Sequence, residues 1–340
     1  MRIFGVLGLA VLAALVGGCA PPAGQTRSGP LALVQTIALD GVSGRLDHLA
    51  VDVQGRRLFV AAVANGTVEV IDLAAGKRTA TIKGLKAPQG VCYIPELDRL
   101  AVACGGDGTV RFYDGRTFQP AQVIGLGADA DNVRYDPAAR RVWVGYGSGG
   151  LAALDPETAA VVANVKLKGH PESFQLEKNG KRIFVNVPTA QAVAVIDREK
   201  AAVVAEWPVK AAVANFPMAL DETHGRLFIG CRTLPRLLVY NTESGEMAAE
   251  APCAGDADDI FYHAAARRIY VTGGLGKLGQ GGLDVFAQGD ANHYTRLAEI
   301  DTALGARTSL FVPDFGRLYV AAPRLLLSTA EIRVFAAPSP

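Results

Sequence analysis

The sequence predicts an all-β fold, a seven-bladed β-propeller of four-stranded antiparallel blades with the last blade closed by the N-terminal strand. Three observations predict it. First, a basic residue followed by a short apolar strand recurs seven times: Arg57-Leu-Phe-Val60, Arg99-Leu-Ala-Val102, Arg141-Val-Trp-Val144, Arg182-Ile-Phe-Val185, Arg226-Leu-Phe-Ile229, Arg268-Ile-Tyr-Val271 and Arg317-Leu-Tyr-Val320. The intervals are 42, 42, 41, 44, 42 and 49 residues. Second, each recurrence sits among three more strand-length alternating segments bounded by turn residues, the content of one propeller blade. Third, the two ends complement each other. The seventh unit stops after its third strand, Glu331-Ile-Arg-Val-Phe335, and Leu31–Leu39 is a strand without a blade. Pairing the two seals the ring and removes exposed sheet edges.

The elements follow in chain order. Residues 1–18 form a signal peptide: Arg2 supplies the positive region, and Ile3–Val16 is an uncharged apolar run too short to span a bilayer comfortably. It ends at Leu15-Val16-Gly17-Gly18-Cys19, which resembles a bacterial lipobox. That resemblance implies cleavage before Cys19, lipidation of its thiol, and an anchor on the periplasmic side of the outer membrane. Residues 19–30 are rich in Pro, Gly and Ser and read as a flexible tether. Residues 31–340 are the propeller. Within a unit, the first strand ends near an acid (His48-Leu-Ala-Val-Asp52, Asn132-Val-Arg-Tyr-Asp136), and the third ends likewise (Thr67-Val-Glu-Val-Ile-Asp72, Ala192-Val-Ala-Val-Ile-Asp197). A Gly- or Thr-bearing turn then leads to the fourth, as in Arg78-Thr-Ala-Thr-Ile82.

Composition excludes several functions. Lys+Arg is 34 against 33 Asp+Glu, so no broad electrostatic surface for nucleic acid is expected. Cys92, Cys104, Cys231 and Cys253 follow the leader without a C-x-x-C pair, which favours buried free thiols, with Cys231–Cys253 as the one bond considered. Gly274-Leu-Gly-Lys-Leu-Gly279 satisfies G-x-G-x-x-G but leads into a strand, so it lacks the helix that phosphate binding needs. It reads instead as an elongated loop of blade 6, able to flap over the channel mouth. Ser148 lies among glycines without meeting G-x-S-x-G.

Patterns such as Arg268-Ile-Tyr-Val-Thr-Gly273 and Gly66-Thr-Val-Glu-Val-Ile-Asp72 resemble the bacterial YVTN-repeat β-propeller family, over nearly all of residues 31–335. The resemblance implies an exported protein and speaks to fold more than to activity. WD-repeat and quinoprotein propellers match less well, because Trp143 and Trp207 are the only tryptophans.

In a propeller the first strand of each blade lines the central channel. Aligned across the repeats, those strands begin with Asp47-His48, Gln89-Gly90, Asp131-Asn132, Glu172-Ser173, Phe216-Pro217, Asp258-Asp259 and Thr308-Ser309. Asp129, His170, Asn215, Asp256 and Arg307 lie just ahead. The ligand-binding candidates are therefore Asp47, His48, Gln89, Asp131, Asn132, Glu172, Asn215, Asp258, Asp259 and Arg307. Converging carboxylates repel, and a cation, retained protons, Arg307 or simple separation must offset that. Asp47, Asp131, Asn132, Glu172 and Asp258 carry the oxygen donors that Ca²⁺ takes. Two functions follow. The first is a monomeric cell-envelope binding module for a small molecule or an envelope protein. The alternative is a calcium-dependent lactonase or esterase with His48 or His170 as base. On the opposite face, Arg57 and its counterparts in the first hairpins are expected to form turn ion pairs with Asp52, Asp136, Glu177 and Asp221, and His224 and His263 to be solvated.

Overall fold

A computed structural model describes residues 29–325 and 329–338; the leader and Cys19 lie outside the described residues. Seven four-stranded antiparallel sheets follow one another around a ring. The basic residue of each repeat opens the second strand of its blade, as Arg57–Ala62 and Arg99–Cys104 show for the first two. Blade 7 consists of Thr308–Val312, Arg317–Ala322, Glu331–Ala336 and the N-terminal strand Ala32–Ala38. Ile37 pairs with Ile332 and Ala38 with Glu331, so the ring is closed by the start of the chain as expected. The longest interval, before Arg317, reflects blade 6, whose strands run to eight or nine residues.

Among the described residues there is no single central core. The apolar residues gather in clusters between consecutive blades. Leu58 and Val60 of blade 1 pack with Ile332 and Val334 of blade 7, and Phe184 and Val195 of blade 4 with Leu227 and Ile229 of blade 5. Burial of these alternating faces is the main stabilising term, since each blade alone would leave both faces wet. The N-terminal strand serves two seams: Leu31 joins the blade 6–7 cluster, while Ile37 and Leu39 join the blade 7–1 cluster.

The acids that punctuate the repeat cap its turns. Asp72 Oδ1 accepts from the amides of Ala74 and Ala75, and Asp114, Asp155, Asp197 and Asp290 do the same two and three residues on. These bonds satisfy amides that the fourth-strand turn leaves unpaired. The arginines do more than pair within their hairpins. Arg57 binds Asp52 at 2.7 Å and also reaches blade 2, where it donates to the Gly115 carbonyl and stands over the Tyr93 and Phe118 rings. Arg182 likewise pairs with Glu177 and donates to the Thr242 carbonyl of blade 5 at 2.6 Å. Arg226 donates to the Ala291 carbonyl of blade 6 at 2.7 Å. In blades 1 and 4 the expected turn ion pairs therefore also staple neighbours. The other two expected pairs do not form: Asp136 is taken by Arg198 of blade 4 while Arg141 pairs with Asp155, and Asp221 faces His224 while Arg226 has no carboxylate within ion-pair distance among the described residues.

Two other expectations are corrected. His263 is buried, not solvated: its ring packs at a tilt against Phe311 with centroids 4.6 Å apart and faces the Tyr270 hydroxyl, and burial holds its pKa below the usual histidine value. The glycine stretch of blade 6 is a compact hairpin turn. The Gly276 amide donates to the Gln280 carbonyl, and Lys277 pairs with Glu299 on the outer strand at 2.6 Å, which draws the turn to the blade's own rim and away from the channel. All four described cysteines are free thiols.

Candidate functional site

The inner strands are Leu46–Asp52, Pro88–Ile94, Ala130–Asp136, Phe174–Leu176, Val213–Asp221, Gly255–His263 and Thr308–Val312. In blades 1, 2, 3, 5 and 6 the pairing register of this strand slips near its start, between Leu46 and Leu49, Pro88 and Val91, Ala130 and Val133, Asn215 and Met218, and Ala257 and Asp259. Such a bulge re-aims side chains that plain alternation would send into the wall. It is repeated at Asp47, Gln89, Asp131, Phe216 and Asp258. Gly90 fits the same wall because a Cβ there would stand 2.1 Å from the Asp131 carbonyl oxygen.

These strand starts enclose a small polar cup of about 170 Å³. Asp47, His48, Gln89, Asp131, Glu172, Asp258 and Arg307 line it, together with Asp129, His170 and Phe216. Two further lining residues, Arg45 and Arg232, were not among the sequence candidates. Arg45 occupies the same repeat position as Asp129, His170 and Asp256, so that column contained it. Arg232 holds the position that Val63, Gly105, Gly147, Pro188, Gly274 and Pro323 occupy at or just past the ends of the other second strands; a lone charge in a small or apolar column was the available signal. Three candidates do not line the cup. Asn132 is buried, and its Oδ1 has no hydrogen-bond partner. Asn215 is buried and donates to Asn186 Oδ1 at 2.9 Å and the Ala192 carbonyl at 3.0 Å, which ties blade 5 to blade 4. Asp259 lies deeper: its Oδ2 accepts the Ser309 amide at 2.8 Å and its Oδ1 faces His48 Nδ1 at 3.5 Å.

Arginines answer the carboxylate repulsion. Arg307 Nε lies 2.9 Å from Asp258 and its Nη1 3.1 Å from Asp256, and Arg232 contacts the same two acids. The Arg232 guanidinium also lies 3.6 Å from the Phe216 ring centroid, which fixes its plane. Across the cup Arg45 pairs with Asp47 and donates to Gln89 Oε1 at 2.6 Å, and Gln89 donates on to Asp129 at 3.2 Å. Among the described residues, no group of three or more His, Cys, Asp or Glu side chains is arranged to hold a metal ion.

The surroundings of both cup histidines favour the protonated form. His170 Nδ1 donates to the Gly147 carbonyl at 2.6 Å while Nε2 faces Asp131 at 3.8 Å, so both ring nitrogens meet acceptors. Burial opposes its charge, but Asp131, the Gly147 carbonyl, Glu172 and Asp129 outweigh it and raise the pKa to about 9. For His48, burial is outweighed by Asp259, Asp47 and Asp131, and the pKa rises to about 10. Asp131 is held below the usual carboxylate range: burial works against it, and His170, His48 and Arg45 prevail. Asp47 is pushed up to about 6, chiefly by burial.

Glu172 is different. No cation lies within ion-pair distance of its carboxyl among the described residues, and only its backbone amide is engaged, by the Asn186 carbonyl at 2.9 Å. Burial first, then the charges of Asp131 and Asp258, raise it to about 7 against the weaker pull of His170 and Arg232, neither of which is within ion-pair distance. It is the one cup carboxyl left to a ligand.

No family model matches the chain, and no curated protein matches its sequence. Solved structures do. The chain is similar to one in a structure described as "Crystal Structure of Mitotic Checkpoint Complex", with a TM-score of 0.75 at 14% identity over 97% of this chain and 99% of that one. It is also similar to a chain of hydrazine synthase from Kuenenia stuttgartiensis, with a TM-score of 0.74 at 15% identity over 87% and 98%. At such identities the likeness speaks to architecture, and it agrees with the strand order of the seven sheets: the chain has the seven-bladed β-propeller fold.

Proposed function

We propose that this chain is a binding propeller whose channel-mouth cup takes a small polar solute bearing a hydrogen-bond donor, an ammonium or a hydroxyl, that meets the Glu172 carboxyl. The observation that carries this reading is the contrast within the cup. Asp47, Asp131 and Asp258 each face an arginine or histidine, while Glu172 lines the same space without a counter-ion. A partly buried carboxyl with a raised pKa in a concave site is a functional candidate on physical grounds. The small volume restricts the ligand to a few heavy atoms.

The wider assignment belongs to the same proposal. The resemblance to YVTN-repeat propellers and the lipobox at Cys19 support a lipid-anchored role on the periplasmic side of the outer membrane. Among the described residues no helix is long and apolar enough to cross a membrane. The calcium-hydrolase alternative draws less support, because Asp258 is engaged by Arg232 and Arg307 and Asn132 is turned into the wall.

The test is a thermal-shift panel of small amines, polyols and carboxylates on the full chain, repeated with Glu172→Gln and Asp131→Ala. Stabilisation by amines or polyols that Glu172→Gln removes is the expected result. Equal stabilisation of wild type and Glu172→Gln, or a response to carboxylates alone, would refute it.

A further inference from the structure

The channel does not continue below the cup with the same chemistry. His48 lines both compartments, and with Asp259 it separates the cup from a second cavity of about 430 Å³ formed by the inner strands of all seven blades. The lining of this lower space is mixed, with Gln175, Asp259 and Ser309 among apolar side chains. Leu49, Met218, Leu220 and Leu310 face it, with Tyr93 and Tyr262. Those two hydroxyls are already used: Tyr93 donates to Asp98 at 2.8 Å and Tyr262 to Gln288 at 2.5 Å. The rings therefore offer apolar surface.

Into this lining the sequence places one guanidinium, Arg134. Its Nη1 donates to the carbonyl of the adjoining Val133 at 2.9 Å, and its carbon lies 5.6 Å from the Phe174 ring centroid. Among the described residues no carboxylate comes within ion-pair distance of it. Asp259 acts on it from farther away but is committed to His48 and the Ser309 amide. Every arginine of the cup is ion-paired, whereas Arg134 is not. Arg134 is half-buried, and a partly desolvated cation without a counter-ion favours an anion beside it. The exposed Lys178 stands at the rim of the cavity and adds positive charge at its opening.

We infer that the lower channel is a second binding site, for an organic monoanion consisting of a carboxylate on an apolar body. The carboxylate meets the planar donor fork of Arg134, and the body lies against the tyrosine rings and Met218. The volume falls within the range of small-molecule sites. This inference uses none of the groups that distinguish the cup, so either site can fail without the other.

Methionine methyl NMR on the full chain tests it, because Met218 lines the cavity and Met247 is exposed on the outer strand of blade 5. The probe is 4-phenylbutyrate, with 4-phenylbutan-1-ol as the neutral counterpart. Titration calorimetry supplies affinities. The expected result is saturable binding of 4-phenylbutyrate that moves the Met218 methyl and leaves Met247 in place. The alcohol should bind about tenfold more weakly, the scale of one charge-assisted contact. Arg134→Met should erase that preference, and Glu172→Gln should leave it intact. An unmoved Met218 methyl, equal affinity for the alcohol and the carboxylate in the wild type, or a preference that survives Arg134→Met would overturn the inference. If Arg134→Met does not fold, the wild-type comparison of the two probes decides alone.

Discussion

Ring closure by the N-terminal strand makes a quantitative prediction. Most side chains of Ala32–Ala38 are exposed, so the strand holds its place through the ladder to Glu331–Ala336 and through Ile37. Ile37 is 1% exposed and packs with Leu39, Leu58 and Ile332 between blades 7 and 1. Ile37→Ala removes three carbons from that seam and leaves a cavity, for a cost of about 2–5 kcal/mol. For a domain of this size, with unfolding entropy scaling with length, that corresponds to a melting temperature lower by roughly 3–8 °C. Val34, three residues earlier, is 52% exposed, and Val34→Ala should cost less than about 0.5 kcal/mol. The assay is urea unfolding of both variants beside the wild type, followed by fluorescence, with the midpoint and slope read separately. The closure reasoning fails if the two substitutions cost the same, or if Ile37→Ala leaves the midpoint unchanged.

Other predictions follow from the same geometry. Arg57→Ala should destabilise by about 2–4 kcal/mol, since it strands the buried Asp52 and breaks the bond to blade 2; Arg57→Lys should recover only part, as an ammonium lacks the planar fork, and chemical denaturation reads both. The Glu172 pKa is raised from 4.5 to about 7, so its burial disfavours the folded state increasingly as pH rises from the unfolded value through about 7. Glu172→Gln should therefore raise the melting temperature at pH 8, with the gain fading by pH 5; a gain independent of pH would contradict the assignment. His170 and His48 carry raised values of about 9 and 10, so the stability they contribute is complete below pH 6.5 and is lost as pH rises through those values. Replacing His170 by Gln should cost stability at pH 6 and cost little at pH 10, as measured by thermal unfolding across that range.

The fold was legible because the repeat states it seven times. Each blade carries its own copy of the basic residue and the alternating strands, and five carry the capping acid, with Asn241 in its place in blade 5, so an ambiguity in one repeat is resolved by the rest. The site was only half legible. The inner-strand alignment located Asp47, Gln89, Asp131, Glu172 and Asp258, but it could not say which member of a pair faces the channel, because the bulges break the period on which that assignment rests. Asn132 therefore falls in the wall, though it neighbours Asp131. Arg232 comes from a second strand, an element not expected to reach the mouth, and its pairing with Asp258 removes the charge excess that had suggested a metal. His263 was misjudged for a related reason. Its position closes the inner strand and is buried in every repeat, by Asp52, Ile94, Asp136, Glu177, Asp221 and Val312 elsewhere, and in blade 6 Phe311 of blade 7 covers it; the acids that share this column suggested solvent where there is a wall.

The central claim is that Glu172 presents an unpaired carboxyl to a small donor ligand, and calorimetric titration of ethanolamine at pH 6 and pH 8 tests it most directly. The ammonium binds the ionised carboxyl, and ionisation is completed above about pH 7, so affinity should be higher at pH 8. Acetate should not compete, and Glu172→Gln should abolish both the binding and its pH dependence. Equal affinity at the two pH values, or undiminished binding to Glu172→Gln, would contradict the claim.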